Sequence, residues 1–103
     1  MAYDIHRIGI VGAGLMGTGI AEVCALAGFD TVLLRATPGE PEPAAARIRA
    51  SMDGRVKRGK LEAEVVERAH AHLRVTCDRD AIADSDLVIE SVVEDLATKR
   101  ALF

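Results

Sequence analysis

The chain opens with apolar runs and punctuation that read as alternating strands and helices. Arg7-Ile8-Gly9-Ile10-Val11 is a short apolar run that stops at Gly12. A strand covered on both faces of a parallel sheet has this look, because neither side of it meets water. After Gly14 the pattern turns helical. Ile20, Val23, Cys24 and Ala27 recur at helical spacing and are expected to face inward, and Gly28 supplies a stop. Thr31-Val32-Leu33-Leu34 reads as a second strand. Three prolines between Pro38 and Pro43 mark a loop. A helix is expected from about Ala44 to Arg58, with Ile48, Met52 and Val56 as its apolar stripe and Gly59-Lys60 as its end. A shorter helix follows from Glu62 to Ala71, with Val65 and Ala69 inward. Leu73 to Thr76 reads as a strand, Asp80 to Ala83 as a single helical turn, and Leu87-Val88-Ile89 as another buried strand. A last helix is expected to start near Asp95. The order β-α-β-α-α-β-β-α implies an α/β fold of Rossmann type, a parallel sheet with helices on both faces. Right-handed crossovers place the first two strands side by side.

The corner between the first strand and the first helix carries the clearest chemistry. Gly12-Ala13-Gly14-Leu15-Met16-Gly17 is a GxGxxG loop. Alone that motif is weak. Here a strand precedes it and a helix opens within it, which is the context a dinucleotide site requires. Gly12 permits the tight turn, Gly14 lets a pyrophosphate approach the backbone, and Gly17 lets the helix pack on the strand. Free amides and the helix dipole favour the negative phosphate. A glycine-rich turn without a ligand is the bland alternative, and the flanking elements argue against it. No Gly-Lys-Ser/Thr follows, so this is not a P-loop.

Totals narrow the class. With 103 residues the chain suits one small domain with one core. Half of the residues are hydrophobic, which argues for a globular chain, and the net charge of −3 gives no sign of a nucleic-acid or membrane partner. No apolar run approaches the roughly 20 residues of a membrane helix. The N-terminus shows no signal-peptide pattern, so a cytoplasmic protein is expected. Cys24 and Cys77 form no disulfide framework and no metal spacing, and Cys24 is expected to pack in the core. His6, His70 and His72 lack partners for a metal site and read as structural or exposed. The chain stops at Ala101-Leu102-Phe103 inside a helical pattern without a stop signal, so it reads as truncated, part of a longer product.

Two groups of polar residues remain. A dinucleotide site usually carries an acid at the end of the second strand to accept from the ribose hydroxyls. That place holds Arg35, a donor that is always charged. Either Arg35 pairs with a 2′-phosphate and the cofactor is NADP, or Arg35 is solvent-exposed and NAD is kept with a weaker ribose anchor. The sequence leaves both open. Arg47, Ser51, Arg55 and Arg58 share one helix face, as either a docking surface for phosphates or a solvated face. Glu90 and Glu94 fall at a strand end, where a polar rim is expected.

The chain resembles the N-terminal cofactor domain of the 3-hydroxyacyl-CoA dehydrogenase family, particularly its 3-hydroxybutyryl-CoA dehydrogenases. The resemblance is carried by IGIVGAGLMGTGIAE (Ile8 to Glu22), by Ser51 to Leu61, and by DSDLVIESVVEDLATKRALF (Asp84 to Phe103). It implies hydride transfer between a nicotinamide cofactor and a 3-hydroxyacyl-CoA thioester, and Arg35 with the Pro-rich loop suggests a specialised member acting on a carrier-protein-bound substrate. It implies that Glu94 and Lys99 contact the cofactor and that Ser51 and Arg58 lie near the CoA moiety. The family's acidic ribose-binding residue falls on Arg35, a departure. The family's catalytic His and Glu, and the helical domain that forms most of a homodimer interface, match positions beyond Phe103. This chain alone is then expected to bind a dinucleotide without turnover. Two other readings stay in view. One is an NADP-dependent dehydrogenase of the 3-hydroxyisobutyrate type, which shares the glycine loop but lacks VVEDL followed by KRALF. The other is a non-catalytic nucleotide-binding remnant.

Overall fold

The computed structural model describes residues 5–36 and 39–91. Within them four strands form one parallel sheet in the order β3-β2-β1-β4, with β1 at Arg7–Val11, β2 at Asp30–Leu34, β3 at Leu73–Thr76 and β4 at Leu87–Glu90. The helices are α1 (Leu15–Leu26), α2 (Glu42–Lys57) and α3 (Ala63–Ala71), and a 3-10 turn spans Arg79–Ile82. The sheet thus grows outward from β1 to β2 and β3, then returns past β1 to β4. That return makes a topological switch beside β1, the place where open α/β sheets bind ligands.

One core lies between the sheet and the three helices. Ile8, Ile10 and Leu33 meet Ala21 and Ala25 of α1, Ile48 and Met52 of α2, and Val66 and Ala69 of α3. On the other face the described residues contribute the 3-10 turn rather than an α-helix. It comes so close that a Cβ on Gly9 would stand 2.6 Å from the Ser85 hydroxyl and 3.1 Å from Ile82, which accounts for a glycine in mid-strand.

The expected elements form, with four corrections in detail, the first being that β4, expected to be buried, leaves Leu87 42% and Val88 47% exposed among the described residues. The buried face of α1 is Gly17, Thr18, Ala21, Glu22 and Ala25. Ile20 and Cys24 are only half-buried, Ala27 is exposed, and Val23 is 62% exposed. Small residues four apart let the helix axis lie close to the strands, so shape outweighs hydrophobicity in choosing the face. In α3 the buried valine is Val66 rather than Val65. Helix α2 starts at Glu42, with Pro43 in its first turn. A proline there has no intrahelical bond to lose.

Both long helices end as their glycines foretell. The Phe29 amide donates to Cys24 and the Gly28 amide to Ala25; the Lys60 amide donates to Arg55 and the Gly59 amide to Val56. Each pair is a Schellman closure. The last helix expected near Asp95 lies outside the described residues.

Candidate functional site

The site assembles where the carboxyl ends of three strands lie level. Val11 of β1 is in register with Leu34 of β2 and with Glu90 of β4. The next residue of each strand continues the ladder. The Gly12 amide donates to Leu34 at 2.9 Å, the Ser91 amide to Val11 at 2.7 Å and the Arg35 amide to Thr76 at 2.8 Å. Gly12, Arg35 and Ser91 therefore stand in one row along the sheet edge.

At Gly12 the chain turns sharply with φ of 111°, a conformation open to glycine and strained for other residues. Helix α1 begins two residues later. Its N-cap is Gly14, in extended conformation and without a side-chain capping bond. The first amides of the helix have no partners within it and point out of its end. A Cβ on Gly14 would meet nothing within 4 Å, so the loop carries open space where a diphosphate would lie against backbone. Gly17 differs: a Cβ there would fall on the Gly12 carbonyl oxygen, with Leu33 behind it at 3.7 Å. Leu15 and Met16, 87% and 72% exposed, present large apolar side chains at the mouth of the loop. Such exposure beside an uncapped helix end suits a surface that a ligand covers.

Arg35 follows the last residue of β2, where the sequence placed it. Its guanidinium lies over Gly39, so close that any Cβ on Gly39 would overlap it. Glu90 is exposed at the end of β4. Glu94 and Lys99 lie outside the described residues.

The Arg47, Ser51, Arg55 and Arg58 face does not act as one surface. Arg47 Nη2 donates to the carbonyl of Ala13 in the glycine loop at 2.8 Å. The Ser51 hydroxyl lies 3.0 and 2.9 Å from the two oxygens of the Glu22 carboxylate, to which it donates. Arg55 Nε approaches the same carboxylate at 3.8 Å. Arg58 caps α2, with its guanidinium folded back toward Gly54. The four thus divide among three places: Arg47 to the Ala13 carbonyl, Ser51 and Arg55 together to Glu22, and Arg58 back along its own helix. Glu22 escaped sequence reasoning. It is 5% exposed on the buried face of α1, and the only signal for that face is the Gly17, Ala21, Ala25 spacing. A crevice of about 390 Å³ between α1 and α2 is bounded by Leu15, Thr18, Glu22, Arg47 and Ser51 and opens beside the loop.

Several of the remaining polar groups have structural partners, whereas the buried His70 Nε2 has no hydrogen-bond partner among the described residues. His72 Nδ1 lies 2.7 Å from Asp30 Oδ1. Burial pushes the Cys24 thiol up, as suits a packing residue. Cys77 is exposed and its thiol donates to the Gly39 carbonyl. No group of metal-ligating side chains occurs among the described residues, and no helix there is long and apolar enough to cross a membrane.

A parallel sheet whose strand order switches beside a glycine loop, with an uncapped helix behind that loop, defines a dinucleotide-binding domain. Residues 7–103 match the model of the 3-hydroxyacyl-CoA dehydrogenase NAD-binding domain, and the chain belongs to that family. It is 40% identical over 103 residues to a 3-hydroxybutyryl-CoA dehydrogenase of Mycobacterium tuberculosis, covering 100% of this chain and 36% of that protein. It is also 40% identical to a 3-hydroxyadipyl-CoA dehydrogenase of Escherichia coli, of which it covers 22%. Among solved structures, that of FadB2 from M. tuberculosis superposes with a TM-score of 0.84 at 41% identity, over 92% of this chain and 33% of that one. The (S)-3-hydroxybutyryl-CoA dehydrogenase of Ralstonia eutropha gives 0.84 at 32% identity, over 93% and 34%. The chain therefore spans about a third or less of the relatives it matches. The family match decides against the 3-hydroxyisobutyrate type.

Proposed function

We propose that this chain is the cofactor-binding part of an enzyme that interconverts a 3-hydroxyacyl thioester and the 3-oxoacyl thioester. The observation that carries this reading is the glycine loop, with open space above Gly14 and the free amides of α1 behind it. The bound nicotinamide would supply the hydride acceptor. Gly12, Ala13 and Gly14, with the first amides of α1 at Leu15, Met16 and Gly17, hold its diphosphate. The apolar side chains of Leu15 and Met16 screen that contact from water, which strengthens it. Glu94 and Lys99 take part in holding the cofactor, on the family resemblance. A catalytic His and an orienting Glu belong to the protein beyond Phe103, as does a helical domain that builds a homodimer, and residues 1–103 alone bind without turnover. The substrate is carried by CoA or by a carrier protein, with Arg58, exposed at the end of α2, near the CoA phosphates. Ser51 is the weaker CoA contact, since its hydroxyl already serves Glu22. The setting is cytoplasmic.

Arg35 favours a second reading of the cofactor. A guanidinium at the end of β2 replaces an acceptor for ribose hydroxyls by a partner for a 2′-phosphate, so NADP is taken in addition to NAD or in its place. The test is a titration of the intact protein with NADH and NADPH, together with turnover of 3-hydroxybutyryl-CoA. Arg35→Asp is expected to shift the ratio of the two affinities toward NADH by at least tenfold. An unchanged ratio puts Arg35 away from the ribose. Binding of neither cofactor, or binding with no turnover of any acyl thioester, leaves the remnant reading instead.

A further inference from the structure

Arg47 reaches from α2 to the glycine loop, 34 residues earlier in the chain, and bonds the Ala13 carbonyl from Nη2 at 2.8 Å. The Ala13–Gly14 peptide is planar and trans, so its carbonyl and the Gly14 N–H point in opposite directions. Fixing the carbonyl toward α2 therefore fixes the Gly14 N–H away from α2. Among the described residues no backbone acceptor takes up that N–H. The charge on Arg47 matters as well. Glu22, the buried carboxylate in the same crevice, is taken up by Ser51 and Arg55. Among the described residues no carboxylate forms an ion pair with Arg47. A guanidinium has five N–H donors in a fixed fork, so the bond to Ala13 leaves donors available.

We propose that Arg47 is a positioning residue of the dinucleotide site: it locks the Ala13–Gly14 peptide so that the Gly14 amide faces the ligand, and it sets a positive charge behind the loop, across that peptide from the diphosphate. This rests on the reading of the loop as the diphosphate site. It assigns to the loop a side chain that lies outside the glycine motif. It also separates Arg47 from Arg58, its former companion on one helix face.

The test compares Arg47→Met and Arg47→Lys with the parent in the intact protein. Binding of NADH is followed by fluorescence, and ADP-ribose and adenosine are measured by competition against it. Arg47→Met is expected to weaken NADH and ADP-ribose about tenfold, the scale of one charge-assisted contact, and to change adenosine less than twofold. The dependence of NADH affinity on salt becomes shallower, as one cation is lost from the site. Arg47→Lys falls between parent and Met for the diphosphate ligands, because an ammonium keeps the charge but not the fork. A purely structural role would lower the melting temperature and weaken all three ligands alike, which overturns the proposal. Parent-like NADH affinity in a folded Arg47→Met overturns it too. Should Arg47→Met fail to fold, parent-like diphosphate affinity in Arg47→Lys has the same force. Failure of the parent to bind NADH would instead sink the reading of the loop itself.

Discussion

A Cβ on Gly14 reaches open space, whereas one on Gly17 reaches the Gly12 carbonyl oxygen. On the proposed reading of the loop the first glycine serves the ligand, whereas the second serves the packing of the helix on the strand. Gly14 has an extended backbone with φ of −76° and ψ of −170°, which a branched residue adopts without strain, and it makes no side-chain cap that a substitution could remove. Gly14→Val is expected to cost less than about 1 kcal/mol of stability, the difference between glycine and a poor N-cap. Its side chain would stand in the diphosphate space, so NADH affinity should fall at least tenfold. Gly17→Ala should differ by costing stability first, and because the atom in its way belongs to Gly12 of the loop, NADH affinity falls with it. The methyl would have to displace backbone, costing at least about 3 kcal/mol. Chemical denaturation and NADH titration of the two variants check the contrast. Equal effects on both properties in both variants would refute it.

At the scale of the elements, α1 is held to the sheet by small residues and to α2 by a polar clasp. Gly17, Ala21 and Ala25 let it lie on β1 and β2, while Glu22 turns its carboxylate to Ser51 and Arg55. A buried carboxylate is costly unless its oxygens are bonded, and the Ser51 hydroxyl meets that need at 2.9 Å. Ser51→Ala is expected to lower stability by about 1–2 kcal/mol, the usual loss when a buried acceptor loses a partner. The loss should be smaller in a Glu22→Gln background, where the acceptor that loses its partner is neutral. A double-mutant cycle by urea denaturation reads the coupling. Additive effects would show that the clasp has no energetic weight. The same variant informs on substrate binding: a changed KM for acyl-CoA with unchanged stability would restore Ser51 to the CoA contacts.

At the scale of the whole molecule, the order of strands depends on β4 returning to lie beside β1. Asp86 marks that return. Its carboxylate accepts from the His6 amide at 2.8 Å and the Arg7 amide at 3.0 Å, and its own amide donates to the Arg7 carbonyl. The two amide bonds hold the Asp86 carboxyl below the usual carboxylate range, with the nearby positive charges of His6 and Arg7 adding to them. A carboxyl whose folded pKa is depressed contributes stability above its unfolded value, and that contribution is lost as pH falls through the folded value. Asp86→Asn should thus lower the denaturation midpoint at pH 7. The difference from the parent should shrink as pH falls below about 4 and vanish once the folded carboxyl is itself protonated. A difference independent of pH would remove charge from the explanation. Beyond β4 the described residues leave Leu87 and Val88 42% and 47% exposed, at the outer strand of a sheet whose relatives are about three times as long.

The alternation of apolar runs and helical stripes was enough to determine the α/β class, the strand positions, the glycine stops after α1 and α2 and the glycine turn between β1 and α1, because each is a local matter of period, turn chemistry and backbone freedom. The place of Arg35 at the end of β2 was legible for the same reason. Tertiary structure alone decided which face of α1 is buried, that Val66 rather than Val65 faces the core, and how the arginine face of α2 divides. In each of these the choice lies between residues one or two positions apart on a helix, and distant partners settle it. Gly17 fits only against Gly12, Glu22 is tolerated inside only because Ser51 and Arg55 meet it, and Arg47 finds the Ala13 carbonyl only once α2 has folded back over the loop.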